Sequence, residues 1–256
     1  MTMIEKKEIK KENIIEVRNL HKRFGKNIVY DGATLNIRRG EVLTIIGGSG
    51  AGKSVMLKHF IGLNTPDDGE IIFDGLDITK FTEDEFISVR KRIAMLFQCG
   101  ALFDSLTVGD NVAYPLKEHT TLSEEDIKAR VARVLEIVGL GGKESFYPED
   151  LSGGMKKRVG LARAIILEPD VILFDEPTTG LDPYNTRKIN EIIAKLNREK
   201  NITCIMVTHD MNSVFEITHR IAMVYQGKVI IEDTKENVKN TDNEIVRAFI
   251  TGEKFF

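Results

Sequence analysis

Residues 42–63, VLTIIGGSGAGKSVMLKHFIGL, decide the fold. The first five, VLTII, are a continuous apolar run, as a strand buried on both faces requires. The last nine place apolar side chains at 56, 60 and 63 and at 57 and 61, which is helical spacing, and Pro66 and Gly69 stop the pattern. Between them, Gly47-Gly48-Ser49-Gly50-Ala51-Gly52-Lys53-Ser54 satisfies G-x-x-x-x-G-K-[ST] in the strand-to-helix setting this motif needs. Its glycines let successive backbone N–H groups curl round phosphate oxygens, while the helix offers its positive end. Lys53 can bridge the β- and γ-phosphates of a nucleotide, and Ser54 can place a hydroxyl on Mg²⁺. The loop, closed by Val55, is the candidate nucleotide-binding segment. The plain alternative is a Gly-rich turn with an exposed lysine.

Two further apolar runs, VILF (171–174) and CIMV (204–207), flank a helix with Ile189, Ile192, Ile193 and Leu196 on one face. Asp175 and Glu176 follow the first run. Adjacent carboxylates at the end of a buried strand are costly without cations or hydrogen-bond partners, and the period of two points them apart. Asp175 is the candidate Mg²⁺ residue, by the pattern of phosphate-loop NTPases, and Glu176 the candidate general base. An exposed acidic turn before Pro177 is the alternative. His209 follows the second run at an equivalent strand end, where ligand sites of open parallel sheets collect. Its imidazole suits a γ-phosphate oxygen or the attacking water, although a lone histidine is more often structural. His21, His59, His119 and His219 have no such setting and read as surface or packing residues.

Around these motifs, residues 1–13 read as a charged leader without the apolar stretch of a secretory signal. Ile14–Val17 and Leu35–Ile37 are short β-like runs about a turn near Gly25, and IIFDG (71–75) looks like another strand. From about 82 to 167 the texture is helical, with a capping start at Ser123–Asp126 and a stop at Gly139, Gly141 and Gly142. The expectation is a single α/β unit over 14–240 interrupted by a helical insertion, with a tail over 241–256.

The chain has 256 residues and a net charge of −3, from 36 Lys+Arg against 39 Asp+Glu. That length supports a substantial core, and the charge lacks the basic footprint of a protein that tracks a nucleic-acid backbone, so no nucleic-acid partner is expected. Cys99 and Cys204 are too few for a disulfide framework or a zinc site, which fits a reducing compartment. No run approaches the length of a membrane span.

Leu151-Ser152-Gly153-Gly154-Met155 precedes a helical pattern, MKKRVGLARAIIL, with Lys156, Lys157 and Arg158 in its first turn. Cations there oppose the helix dipole unless an anion lies near; a solvated basic face is the alternative. In order, the phosphate loop, Gln98, LSGGM, VILFDE, Thr179-Gly180-Leu181-Asp182 and His209 resemble the ATP-binding cassette (ABC) ATPases, from about residue 14 to 232. The resemblance implies a P-loop NTPase fold: a RecA-like α/β core with an antiparallel β subdomain and an inserted α-helical subdomain. It implies an ATPase that uses ATP and Mg²⁺ and works as a head-to-tail homodimer, with Lys53, Glu176 and His209 catalytic. Phe24 matches the aromatic that stacks on adenine, a core Phe being the alternative. Gln98 matches the glutamine that joins Ser54 and Asp175 around the metal and its water. Ser152, Gly153 and Gly154 match the signature that reaches ATP held by the other protomer, and Asp182 the aspartate that crosses the interface. Met155 departs from the glutamine usual in the family.

The stretch MLFQCGALFDSLTVGDNVAYPLKEHT (95–120) more closely resembles the Mla-type ATPases of MCE-domain phospholipid transporters. That resemblance implies a phospholipid cargo, a separate integral membrane permease, an MCE-domain lipid-binding partner and a place on the cytoplasmic face of the inner membrane. Leu102, Phe103, Leu106 and Tyr114 are the candidate docking residues, core packing being the alternative. Rival readings are a motor for an amino acid or an anion, and a soluble non-transport ABC ATPase. The second usually carries paired cassettes or zinc-binding insertions, which this sequence lacks.

Overall fold

The computed structural model describes residues 12–253. The leader up to residue 11 and the terminal residues 254–256 lie outside the described residues. β1 (Asn13–Phe24) and β2 (Asn27–Arg38) form a hairpin, and β4 (Asp68–Phe73) and β5 (Leu76–Asp77) extend it into a four-stranded antiparallel sheet ordered β2-β1-β4-β5. Ala33, Leu35 and Ile37 alternate with more open neighbours, so one face of this sheet is buried and the other wetted.

The second sheet has six strands in the order β10-β9-β3-β8-β7-β6. They are β3 (Val42–Ile46), β6 (Ile93–Leu96), β7 (Val171–Asp175), β8 (Thr203–Val207), β9 (Arg220–Tyr225) and β10 (Lys228–Thr234). Neighbours are parallel except at the β9–β10 edge. Every residue of β3 and β8 is buried, which explains their uninterrupted apolar runs. Alternation then sorts the two faces. Leu43, Ile45, Leu173 and Ile205 pack with α1 (Lys53–Phe60) and the antiparallel sheet. Ile172, Phe174, Cys204 and Met206 face a helical layer. That layer comprises α3 (Val108–His119), α4 (Glu124–Ile137), α5 (Gly153–Ile165) and α6 (Pro183–Lys200).

The helical texture read from residue 82 is interrupted. α2 (Glu83–Arg92) runs directly into β6, which pairs in parallel with β7, so the inserted helices are α3 to α5, between β6 and β7. A four-residue strand continuing from a helix has too few residues to show a period of two. The chain beyond 240 is also part of the packed body. After α7 (Met211–Ile217) and α8 (Lys235–Lys239), α9 (Glu244–Thr251) buries Val246 against Ile46, Val214 and Met223.

Arg220 joins the two sheets. Its guanidinium donates to both carboxylate oxygens of Glu41 at 3.0 and 3.2 Å, to the carbonyl of Asn36 on β2 at 3.3 Å, and to Glu232 on β10. Burial raises the Glu41 carboxyl above its ordinary range, while the Arg38 N–H and Arg220 oppose that rise.

Candidate active site

Val207 of β8 lies opposite both Ile45 of β3 and Asp175 of β7, so the C-terminal ends of three parallel strands stand side by side. With strands about 4.8 Å apart, whatever follows them meets in one place. The phosphate loop follows β3, Glu176 follows β7, and Thr208-His209 follows β8. A cleft of about 510 Å³ opens there, lined by Phe24, Asn27, Val29, residues 47–55, Glu176, His209 and Phe249.

The phosphate loop leaves its anion-binding groups available. α1 begins at Lys53 with no side-chain cap and no acidic residue in its first turn, so its leading N–H groups and positive dipole end are uncontested at the cleft. Gly52, the N-cap, stands at φ +97°, and a Cβ there would lie 2.5 Å from Val29 Cγ1. Only glycine lets the loop pass that close to β2. The Tyr30 hydroxyl clamps this passage by donating to Gly52 O at 2.6 Å. Lys53 Nζ folds back to donate to Gly47 O and Gly48 O at 2.8 and 2.9 Å. Burial lowers its pKa, and the nearby Glu176 and Asp175 charges work the other way. Its ammonium thus waits on its own loop, at the entrance of the first phosphate N–H groups.

The carboxylates diverge as the strand period requires. Asp175 Oδ1 accepts from Ser54 Oγ at 2.7 Å, tying β7 to α1. Glu176 stands at φ +51°, a left-handed conformation uncommon for a side chain with a Cβ, and its N–H donates to Val207 O at 2.9 Å. Strain of this kind costs about 1–3 kcal/mol and persists where surrounding bonds impose it. It turns the carboxylate off the sheet, where Oε2 accepts from Thr179 Oγ1 at 2.8 Å and His209 Nδ1 lies 3.0–3.1 Å from the two oxygens. A carboxylate only accepts, so Nδ1 carries the hydrogen and Nε2 is left for a ligand. His209 immediately precedes Asp210, which caps α7 through Asn212 N and Ser213 N.

Of the remaining candidates, Phe24 lines the cleft and the others stand elsewhere on the protomer. Phe24 is 48% exposed at the end of β1, under the Lys22 ammonium, rather than packed in the core. Gln98 is exposed on the segment after β6 and does not line the cleft. Ser152 caps α5 by accepting from Met155 N at 3.3 Å, and Asp182 caps α6 by accepting from Asn185 N at 2.9 Å. These two caps meet through Asn185: a Cβ on Gly154 would come within 2.7 Å of its side chain. Ser152, Gly153, Gly154 and Asp182 therefore form one surface, separate from the cleft lining of the same protomer. Met155 packs its thioether side chain against the helical-layer core. Leu102 packs there too, whereas Phe103 and Tyr114 stay exposed with rings 5.1 Å apart.

Lys157 and Arg158 are neither a solvated basic face nor an anion site. Lys157 Nζ donates to Glu176 O and Thr179 O, and Arg158 Nη1 to Val138 O and Gly139 O, so both cations neutralise carbonyl dipoles. His59 is a packing residue: its Nδ1 donates to Val55 O at 2.7 Å, and burial pushes its pKa down to about 4. His219 accepts from Val42 N at 3.0 Å. Tyr30 and Phe249 carry no local motif, whereas Thr179 and Lys157 stand in the quoted 179–182 and 155–167 segments without any local sign of their contacts with Glu176.

The model of the ABC transporter family matches residues 30–179. The chain belongs to this family. The ABC cassette is 44% identical over 242 residues, 94% of this chain and 92% of the relative, to the intermembrane phospholipid transport system ATP-binding protein MlaF of Haemophilus influenzae. It is 41% identical over 240 residues, 94% of this chain and 69% of the relative, to the "Probable ribonucleotide transport ATP-binding protein mkl" of Mycobacterium leprae. Among solved structures, a dimeric ATP-binding cassette in a post-hydrolysis state with ADP and phosphate superposes with a TM-score of 0.79 at 33% identity, covering 86% of this chain and 98% of that one. The ABC cassette is an ATP-binding ATPase, and its RecA-like core, antiparallel sheet and helical insertion are those of the family.

Proposed function

We propose that this chain is the ATP-hydrolysing subunit of a phospholipid transporter. Two copies pair head to tail around two MgATP, each completing the other's site, and drive a separate membrane permease from the cytoplasmic face. An MCE-domain lipid-binding protein belongs to the same complex. The hydrolytic half of this reading rests on the cluster at the three strand ends. The cargo rests on the 44% identity, along nearly the whole chain, to a phospholipid transport ATPase.

The residues give each step a group. Phe24 offers a ring face to adenine, and the phosphate-loop N–H groups take the phosphate oxygens. Lys53 exchanges the carbonyls of Gly47 and Gly48 for the β- and γ-phosphates. Glu176 takes a proton from the attacking water while His209 holds the carboxylate and presents Nε2 to the γ-phosphate side. Ser54 and Asp175 put a hydroxyl and a carboxylate together, a hard oxygen pair suited to Mg²⁺ with phosphates and water as its other ligands. When bound, the ion neutralises phosphate charge as the terminal phosphoryl group leaves.

Two observations support partners. Ser152, Gly154 and Asp182 share a surface outside the lining of the phosphate-loop cleft, as trans-acting groups should. A groove of about 380 Å³ beside Phe103, Tyr114, Phe97 and Pro115 exposes two large aromatics, a surface suited to an apolar permease segment. None of the helices among the described residues is long and apolar enough to cross a membrane.

The test is purification of the native complex through this chain, with identification of its proteins and extraction of its lipids. A polytopic permease, an MCE-domain protein and bound phospholipid are expected. ATPase activity stimulated by ribonucleotide, with no bound phospholipid, would overturn the cargo.

A further inference from the structure

Lys157 places an ammonium where water scarcely reaches: the residue is 6% exposed on α5, five positions past Ser152. Its Nζ donates to Thr179 O at 2.6 Å and to Glu176 O at 3.3 Å. No carboxylate among the described residues forms an ion pair with it. Burial holds its pKa below the usual lysine range, against the opposing pull of Cys99 and Glu176. A buried cation bonded only to main-chain carbonyls is costly to keep, and it needs a structural return.

That return lies in the turn it grips. Glu176 is fixed at three points: its N–H on Val207, its carbonyl on Lys157, and its carboxylate on Thr179 and His209. The Thr179 hydroxyl that holds the carboxylate belongs to the residue whose carbonyl Lys157 holds more tightly. One ammonium thus closes a ring through Thr179 and Glu176, around the left-handed backbone at residue 176. The same side chain roots that ring in α5, the helix whose N-terminus is the signature segment.

We infer that Lys157 is a positioning residue for hydrolysis: it fixes the 176–179 turn so that the Glu176 carboxylate stays aimed into the cleft, and it makes that aim depend on α5. A ligand engaged at Ser152 therefore acts on a helix that is tied, five residues on, to the backbone of the base. The inference rests on the proposed role of Glu176, and a purely structural lysine is the alternative to defeat.

The test uses the full chain with Lys157→Met, which keeps the stem and removes the N–H donors. Steady-state hydrolysis, binding of a fluorescent ATP analogue and thermal unfolding are measured together. Because a misplaced catalytic group loses rate steeply, kcat should fall about tenfold or more while KM and ATP affinity stay within about twofold. Lys157→Arg, which keeps the donors, should recover kcat to within about threefold. A Lys157→Met enzyme with kcat within about twofold of the parent overturns the inference, as does a parallel loss of kcat and ATP affinity in both variants. If the methionine variant does not fold, Lys157→Leu, which also lacks donors, replaces it under the same criteria. Glu176→Gln run alongside separates the two readings. Unchanged turnover there removes the role of Glu176, whereas loss there with none at Lys157 removes the positioning role alone.

Discussion

Glu176→Gln removes the side chain's capacity to take a proton and leaves nearly everything else in place. The carboxylate accepts the Thr179 hydroxyl at 2.8 Å and faces His209 Nδ1 at 3.0–3.1 Å. A glutamine of the same shape keeps its carbonyl toward Thr179 and turns its NH₂ toward His209, whose other tautomer accepts at Nδ1. Two charge-assisted hydrogen bonds become neutral ones, one of them to the exposed His209, so the folded state loses no more than about 1–2 kcal/mol. The left-handed turn is undisturbed, because Val207 and Lys157 hold it by the main chain. Nucleotide affinity should stay within about threefold, since none of the phosphate-loop groups changes. General-base catalysis is worth about 10²–10⁴ in rate, so kcat should fall by that factor. That range is about 2.7–5.4 kcal/mol of barrier, more than the change in stability. Single-turnover hydrolysis with labelled ATP, beside size-exclusion chromatography with ATP present, reads both effects. The expected result is a slow enzyme that accumulates an ATP-bound dimer. A rate within about fivefold of the parent, or equal losses of rate and of binding, would refute the assignment.

Lys53→Ala removes the ammonium that bridges Gly47 O and Gly48 O, and with it charge-assisted bonds to phosphate worth about 1.5–3 kcal/mol. Isothermal titration should show ATP affinity down by about 10–100-fold, and full turnover in this variant would sink the site assignment. Phe103→Ser and Tyr114→Ser alter exposed rings, so stability should move by no more than about 0.5 kcal/mol while association with the permease weakens. Unfolding of either variant would support the packing reading instead. Arg220→Met strands the buried Glu41 and leaves the half-buried Glu232 without this partner, and urea unfolding at about pH 7 should show a loss of about 3–5 kcal/mol. Burial already raises the folded-state pKa of Glu41 above its unfolded value, so its contribution is most favourable at low pH and is lost as pH rises through the raised value. Removing Arg220 raises it further. The loss should therefore be smaller at about pH 5 than at about pH 7, and equal losses would count against a stranded carboxylate.

The parts of the site that were legible in the sequence are those whose chemistry and local structure coincide. VLTII followed by the phosphate loop is strand, turn and helix in one window, and VILF-Asp175-Glu176 is a strand with its functional end attached. Fully apolar strands mark a parallel sheet, whose C-terminal ends then collect the groups that follow them. The partners of those groups were not legible, because they lie far away along the chain. Tyr30 reaches Gly52 from β2, Lys157 reaches Glu176 from another helix, and Phe249 enters the cleft from beyond the last strand. β6 was hidden for a different reason: four residues following a helix carry no periodicity of their own. The basic turn at 156–158 left an anion site and a solvated face open, because residue type alone does not show that Lys157 and Arg158 donate to main-chain carbonyls.

The separation of the two functional surfaces argues for how such a chain must work. On one protomer the cleft collects the phosphate loop, Glu176 and His209, while Ser152 and Asp182 meet at Asn185 on a different surface. Under the proposed roles, a lone protomer would leave one side of a bound triphosphate to water, and its electrostatic groups would act at reduced strength in that high dielectric. Under the proposed head-to-tail pairing, a two-fold axis brings each Ser152 surface to the other cleft, and the same contact is made twice because an isologous interface repeats itself. The γ-phosphate is then both the bond to be broken and part of the adhesive between protomers. Its release weakens the interface at the moment of chemistry, which turns a local reaction into a separation of two bodies. Lys157 gives that coupling a physical link inside each protomer. Under the proposed roles, the helix that would sense the partner's nucleotide holds the backbone of the base that would cleave its own, so each site would register the other's state without any contact between their nucleotides.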